Sequence, residues 1–230
     1  MTKRVGIIGD THEPFCHKDY LNFCSDTFNK YRVNQIVHIG DLVDNHAISF
    51  HDHDPNGYSS GQEAELAQKA LQKWYKTFDK VSVLIGNHCK LPYRQGVSKN
   101  IPAKFLKTYE DVWEAPKGWQ WYNDLEIDHV RYTHGTGSSG QNGAINRAIR
   151  SRQSSVIGHI HSFGGVNYHA SENDIIFGLN VGCGIETRAY AFEYGKPFVN
   201  KPTLGCGVVI NGIDAFFIPM KLGRKYEWVK

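Results

Sequence analysis

The sequence predicts an α/β fold with a mixed or two-sheet core, and three observations point there. Short apolar runs closed by glycine alternate with helix-spaced apolar residues in the first part of the chain. The stretch after Gly164 is instead β-rich and punctuated by glycine. Hydrophobic residues make up 40% of the 230 residues and charged ones 21%, a balance that buries a core rather than leaving the chain disordered.

Residues 5–9 form an apolar run closed by Gly9, which reads as a buried strand. Tyr20, Cys24, Phe28 and Tyr31 then recur at helical spacing. Residues 35–40 form a second strand, closed by Gly40. The polar stretch 44–61 reads as a loop, with Ser60 and Glu63 as a capping box for the next helix. Ala67, Leu71, Trp74 and Phe78 share one face of that helix. Residues 81–86 give a third strand ending at Gly86, and 119–128 and 130–133 read as paired strands. Residues 144–152 form a short helix with Ile145, Ala148 and Ile149 inward and Arg147 and Arg150 outward. A strand follows at 155–160. Asn211-Gly212 between apolar runs marks a type I′ hairpin. No repeat, low-complexity tract or linker divides the chain, so residues 1–230 are expected as a single domain.

Composition excludes several classes. No stretch approaches the roughly 20 apolar residues of a membrane span, so no membrane partner is expected. Lys3 and Arg4 are followed by too few apolar residues before Asp10 for a secretory signal, and a cytoplasmic chain starting near Met1 is expected. The 5 cysteines, Cys16, Cys24, Cys89, Cys183 and Cys206, are odd in number and form no C-x-x-C pair. That argues for free thiols in a reducing compartment, against a disulfide scaffold or zinc knuckle. The net charge of +3 is weak, so any basic surface must come from local clustering.

The 12 histidines are the unusual count, and their placement carries the chemistry. Asp10-Thr11-His12 follows the first strand, Gly40-Asp41-Leu42-Val43-Asp44 the second and Gly86-Asn87-His88 the third. His134-Gly135 and Gly158-His159-Ile160-His161 come later. Sites in open α/β sheets gather at the carboxyl ends of strands. Convergence there would assemble oxygen and nitrogen ligands without thiolate, a set suited to Mn²⁺, Fe, Zn²⁺ or Ni²⁺. Two such ions roughly 3.5–4 Å apart, sharing a carboxylate, drive phosphate-ester hydrolysis.

On these blocks the chain resembles the calcineurin-like metallophosphoesterase family, whose D-x-H, G-D-x-x-D, G-N-H, His-Gly and G-H-x-H motifs occur here in order from Asp10 to His161. Each block alone is weak, and the ordered set is specific. A looser resemblance, through 86–118 and 135–150, is to small stand-alone phosphoesterases of phages and prophages. The family resemblance implies a four-layer α/β/β/α sandwich with mixed sheets. It also implies two divalent metal ions, Mn²⁺ foremost. Asp10, His12 and His161 would hold the first ion, Asn87, His134 and His159 the second, and Asp41 would bridge them. A water between the cations would attack phosphorus in line. His88 would protonate the departing oxygen, and Asp44 would fix its tautomer and raise its pKa. The family usually has an acid after G-N-H where this chain has Cys89, so the partner of His88 rests on Asp44.

The remaining histidines have plainer readings. His38, inside a strand, and His129 and His169 read as ordinary structural residues. His159 and His161 alternate along the strand at 155–160 and its end, and so reach one cluster. His46, His51 and His53 lie in the long polar loop and read as a solvated face. Arg147 and Arg150, close behind His134-Gly135, and Arg94, shortly after His88, are candidates for binding substrate phosphate. The expected function is a dinuclear-metal phosphoesterase acting on a phosphate ester, foremost a phosphodiester and with nucleic acid as a candidate partner. The alternatives are a small-molecule phosphomonoesterase and a catalytically inactive metal-binding module. The latter needs a damaged ligand or a lost His88, and neither is seen. The native substrate, the metal and the oligomeric state are not set by the sequence.

Overall fold

Alternation along each strand decides which of two cores a side chain enters. The computed structural model describes residues 2–50, 54, 56–189, 191–192 and 199–230. In chain order it begins β1 (Arg4–Ile8), α1 (Tyr20–Tyr31), β2 (Gln35–His38), α2 (Ser60–Thr77), β3 (Val81–Leu84), α3 (Leu91–Ser98), α4 (Tyr109–Val112) and β4 (Trp119–Tyr122). It continues β5 (Asp124–Ile127), β6 (Val130–Thr133), α5 (Gly143–Ser151), β7 (Ser155–Ile157), β8 (Gly164–Ala170), β9 (Ile175–Val181), β10 (Gly205–Ile210) and β11 (Asp214–Pro219). Short 3₁₀ turns occupy His46–Ile48 and Ala103–Phe105.

One sheet has 6 strands in the order β11-β10-β1-β2-β3-β4, and the other has 5 in the order β5-β6-β7-β9-β8. β1 to β4 run parallel, with β10 antiparallel to β1 and β11 antiparallel to β10. In the second sheet the β6–β7 and β7–β9 pairs are parallel and the outer pairs antiparallel. Val5, Ile7 and Val37 pack between the sheets against Tyr132, Val156, Leu179 and Val181. Ile8, Val81 and Val83 face the other way, onto Phe23 and Phe28 of α1 and Leu71 and Trp74 of α2. Ile145 and Ala148 of α5 cover the far side of the second sheet at Ile176. The layers are thus helix, sheet, sheet, helix, the α/β/β/α sandwich with mixed sheets. Among the described residues, no helix is long and apolar enough to cross a membrane.

Three local expectations are corrected. The run 119–128 is not one strand paired with 130–133. It breaks at Asn123, where β4 joins the first sheet beside β3 and β5 pairs with β6 in the second. Trp119 packs with the helix-side core while Ile127 enters the core between the sheets, a difference that periodicity does not encode. The capping box of α2 lies one residue earlier, with Ser59 as N-cap and Gln62 as its partner. The strand at 155–160 ends at Ile157. The hairpin forms at Asn211-Gly212, where both residues take positive φ, 52° and 68°, as a type I′ turn requires.

The helical layer also fixes the loops that matter below. Trp74 is buried in α2 and its Nε1 donates to Glu13 Oε1 at 2.8 Å. The Glu13 N–H donates to Leu42 O at 2.9 Å, and the Asp44 N–H donates to Glu13 O at 3.0 Å, so the loops after β1 and β2 are zipped together. Trp74→Phe keeps most of the apolar volume but takes the indole donor away from the buried Glu13 carboxyl. The expected loss is about 1–3 kcal/mol of stability, read by urea unfolding, whereas a change near zero would mean that this hydrogen bond does not hold the loops.

Candidate metal centre

Every motif block emerges from the carboxyl end of a parallel strand. Asp10 and His12 follow β1, Asp41 and Asp44 follow β2, and Asn87 and His88 follow β3 in the first sheet. His134 follows β6, and His159 and His161 follow β7 in the second. Because the sheets pack face to face, the two sets meet at one edge.

Glycines let them meet. A Cβ at Gly86 would lie 2.0 Å from Asp41 Oδ1, and one at Gly158 would lie 2.2 Å from Asp10 Oδ1. At Gly40 it would lie 2.5 Å from His134 Nδ1. The backbone must therefore approach these side chains where no methyl group fits. Three ligand-type residues themselves take the left-handed conformation: His12 at φ 49°, Asp41 at 46° and His159 at 64°. Such values are uncommon outside glycine and cluster at functional sites.

Three groups form, each with ligand atoms within 4.8 Å of one another: Asp10, His12 and His161; Asp41, His134 and His159; and His12, Asp44 and His88. His161 Nε2 lies 3.0 Å from Asp10 Oδ2. His134 Nε2 lies 3.0 Å from Asp41 Oδ2 and 2.9 Å from Asn87 Oδ1. The first two groups each take residues from both sheets. The third comes from the first sheet alone.

Asp44 serves two histidines. Its Oδ1 is 2.5 Å from His12 Nδ1 and 3.0 Å from His88 Nδ1, and its backbone carbonyl is 2.7 Å from His88 Nδ1. His12 thus has Nδ1 engaged and Nε2 buried with no hydrogen-bond partner, as has Asp10 Oδ1. Buried polar atoms left without a partner need an explanation, and a cation between them supplies one. The donor set of carboxylates, imidazoles and one amide suits a hard or borderline divalent ion.

The electrostatics agree. Burial pushes the Asp41 carboxyl up, but His134, His88 and His12 outweigh it and hold the group well below the usual carboxylate range. Burial likewise raises Asp10, and His134 and His161 bring it below its ordinary value. Burial lowers His134, yet Asp41 and Asp10 raise it to about 9. Burial also lowers His88, and Asp44 and Asp41 raise it to about 10. Asp10, Asp41 and Asp44 thus favour the ionised form at this edge, among the imidazoles that surround them.

The other expected residues fall into place differently. His159 and His161 do not share a cluster by strand alternation, because β7 ends before them; the left-handed turn at His159 sends them to different groups. Arg147 sits beside the loop after His134, with Nε 3.4 Å from Ser138 Oγ and its guanidinium 3.3 Å from Thr136 O. Arg150 is exposed on the same helix and lines a cleft with Arg131 and Arg147. Arg94 stacks on Phe50 at 4.8 Å. His38 is buried and bonded to Thr11 Oγ1 at 3.0 Å, with burial lowering its pKa to about 3. His46 is half-buried, and His51 and His53 lie outside the described residues. Cys89 is buried, and burial pushes its thiol up to about 12, which opposes a thiolate ligand.

Sequence reasoning missed Glu63 and Asn45. The buried Glu63 carboxylate accepts the N–H groups of His46 and Ala47 at 2.7 and 2.8 Å, holding the turn after Asp44. Asn45 Nδ2 donates to His88 O at 3.0 Å. Glu63 carried a signal, an acid at a buried helical position, but it read as half of a cap.

Comparison with known proteins now bears on the site. The sequence model of calcineurin-like phosphoesterases matches residues 3–176. The chain belongs to the calcineurin-like phosphoesterase family. Membership supports a phosphoester hydrolase in general terms, in a family that holds divalent ions in a dinuclear site, and the His/Asp groups above are candidate ligands for such ions. No curated protein matches the sequence. Among solved structures it is similar to vacuolar protein sorting 29 from Cryptosporidium parvum, at 13% identity, covering 91% of this chain and 85% of that one with a TM-score of 0.45. It is also similar to the phosphoesterase YfcE from E. coli, at 16% identity over 89% and 87% of the two chains with a TM-score of 0.40. A third is the nuclease MPE from Pseudomonas putida, at 11% identity over 94% and 85% with a TM-score of 0.37.

Gly86→Ala puts a methyl group 2.0 Å from Asp41 Oδ1 and must displace that carboxylate. The expected outcome is loss of at least half of the bound metal, measured by atomic emission on protein dialysed against Mn²⁺, with the circular dichroism spectrum retained. Full occupancy would show that Asp41 need not approach residue 86 so closely.

Proposed function

We propose that this phosphoesterase hydrolyses a phosphodiester, with nucleic acid as its substrate class, using two divalent ions with Mn²⁺ foremost. The observation that carries the hydrolase reading is the pairing of two sheet-bridging ligand groups with an intact His88–Asp44 unit. In this reading Asp10, His12 and His161 hold one ion, and Asn87, His134 and His159 hold the other. Asp41 is shared, and residues 1–230 act as one domain. Bound there, the ions supply an activated water and neutralise charge on the phosphoryl oxygens.

The chain's own groups do the rest. Asp44 ties His88 through Nδ1, leaving Nε2 as the nitrogen that can reach a substrate oxygen. The carboxylates of Asp44 and Asp41 favour the protonated form of His88, which makes it the proton carrier of this reading. As the water oxygen bonds to phosphorus and the P–O ester bond breaks, His88 gives that proton to the departing oxygen. Asp44 also orients His12, so one carboxylate positions both a ligand and the acid. Glu63 holds the turn that follows Asp44.

The nucleic-acid reading rests on the cleft beside α5. Arg131, Arg147 and Arg150 line it with Thr136, Ser138 and Ser139. Ser138 and Ser139 also line the cavity that contains His159 and His161, so cleft and cavity adjoin. Guanidinium groups spaced along a groove suit a run of phosphates. Arg94, stacked on Phe50, is a lesser candidate. The free thiols of all 5 cysteines suit the reducing cytoplasm.

Three outcomes test this reading. With Mn²⁺ the protein should hydrolyse bis-p-nitrophenyl phosphate, and chelation should abolish the activity; no turnover, or turnover insensitive to chelator, would refute it. His88→Ala should cut the rate roughly 10²-fold or more on a diester with an alkyl leaving group, and less with p-nitrophenolate, which departs without protonation. Equal losses on both, or lost metal, would show that His88 is not the acid. Arg147→Ala with Arg150→Ala should raise KM for single-stranded DNA roughly tenfold at low salt, an effect that fades as salt rises.

A further inference from the structure

The metal centre opens into a cavity of about 660 Å³, with His159 and His161 in its wall. That volume lies in the roughly 300–1,000 Å³ range of sites for small organic groups. Besides Ile160, its apolar lining comes from Ile185, Phe192, Pro202, Leu204, Leu222 and Tyr226. All but Ile160 lie beyond residue 176, where the family match ends. The shared hydrolytic machinery therefore does not account for them.

We propose that this cavity is the subsite for a nucleobase carried by the phosphate ester. The inference rests on the hydrolase reading and names the group beside the scissile phosphate. This space adjoins the position of a phosphorus held among Asp41, His159 and His161, because the two histidines line both, so it has room for the ester's next substituent.

Tyr226 supplies one ring of this wall, with the Arg188 guanidinium over one face and the His17 ring 5.2 Å away at a tilt of 55°. The Arg188 guanidinium lies 3.8 Å from the Tyr226 ring centroid, and Glu186 holds that guanidinium by contacts of 2.9 and 3.2 Å. The Tyr226 hydroxyl is hydrogen-bonded to Thr187 Oγ1, and its backbone carbonyl lies 3.1 Å from His17 Nε2. The segment that carries it is closed by a bridge between Leu222 and Trp228, and the Trp228 N–H donates to Asp19 Oδ2 at 3.1 Å. The ring is thus fixed before any ligand arrives, which lowers the entropic cost of stacking. On the other side, Phe192 stands edge-on to His12 at 5.7 Å.

An apolar slot alone would also take an alkyl chain. Here Ser139, Ser162 and Asn200 add hydrogen-bonding groups to the lining. A planar ring with a polar edge uses both kinds of wall, and a hydrocarbon uses only one. Aromatic stacking tolerates any base, so preference for a particular base should be slight.

The test compares two esters with the same leaving group, thymidine 5′-(p-nitrophenyl phosphate) and ethyl p-nitrophenyl phosphate, on the Mn²⁺-loaded protein. The expected kcat/KM ratio favours the thymidine ester about tenfold or more. Tyr226→Ala should bring the ratio close to one, while Tyr226→Phe, which keeps the ring, should retain it; melting curves verify that both variants fold. Turnover of both esters at equal kcat/KM overturns the subsite and leaves the hydrolase reading standing. So does a ratio that survives Tyr226→Ala, or a preference for a decyl ester over the thymidine ester. If neither ester turns over, the hydrolase reading fails, and titration calorimetry still reads the cavity. Thymidine 5′-monophosphate should then bind at least tenfold more tightly than inorganic phosphate, and equal affinity overturns the proposal.

Discussion

The structure depends on the close approach of two buried carboxylates to backbone that has no side chain. Asp41 Oδ1 accepts the His88 N–H at 2.8 Å across the space that a Cβ at Gly86 would fill. Asp10 Oδ2 accepts the His159 N–H at 2.8 Å next to Gly158. The partners given to these carboxylates are imidazoles and backbone N–H groups. Burying such groups is costly without compensation. Here the compensation draws together the ends of β1, β2, β3, β6 and β7. Once those strand ends are fixed, the positions of nearly every chemically active side chain follow.

Much of this was legible in the sequence because the blocks are local. A glycine, an acid and a histidine within a few residues of a strand end state their own geometry. Asp10-Thr11-His12 and Gly86-Asn87-His88 announced both the strand end and the site. The layered α/β character followed from alternating strand and helix patterns. What stayed hidden depends on distant partners. Trp119 and Ile127 look alike in a periodicity plot yet enter different cores. Glu63 reads as a helix start, and its true role is visible only when His46 and Ala47 lie opposite. Tyr226 and Arg188 carry no motif, and 38 positions separate them before they stack.

His159 shows a different kind of miss. Counting alternate residues along a strand puts His159 and His161 in one cluster, and the structure puts them in two. The strand stops at Ile157, and a left-handed residue sends neighbouring histidines to separate groups. A sharp turn thus does what pleating could not, since pleating points both side chains the same way. Likewise Asp44 was expected to serve His88 alone, and it also holds His12 at 2.5 Å. One buried carboxylate couples the orientations of the His12 and His88 rings, so a disturbance at either imidazole is felt by the other.

The passage from β4 to β5 has a mechanical consequence. Asn123 is the lone residue between a strand of one sheet and a strand of the other. At that margin the two sheets are joined with almost no slack. At the edge that carries the histidine and aspartate groups they are joined again, by Asp10 to His161 and by Asp41 to His134. Sheets riveted at both places resist sliding past one another, so the molecule should yield by peeling its outer helices before its layers shear.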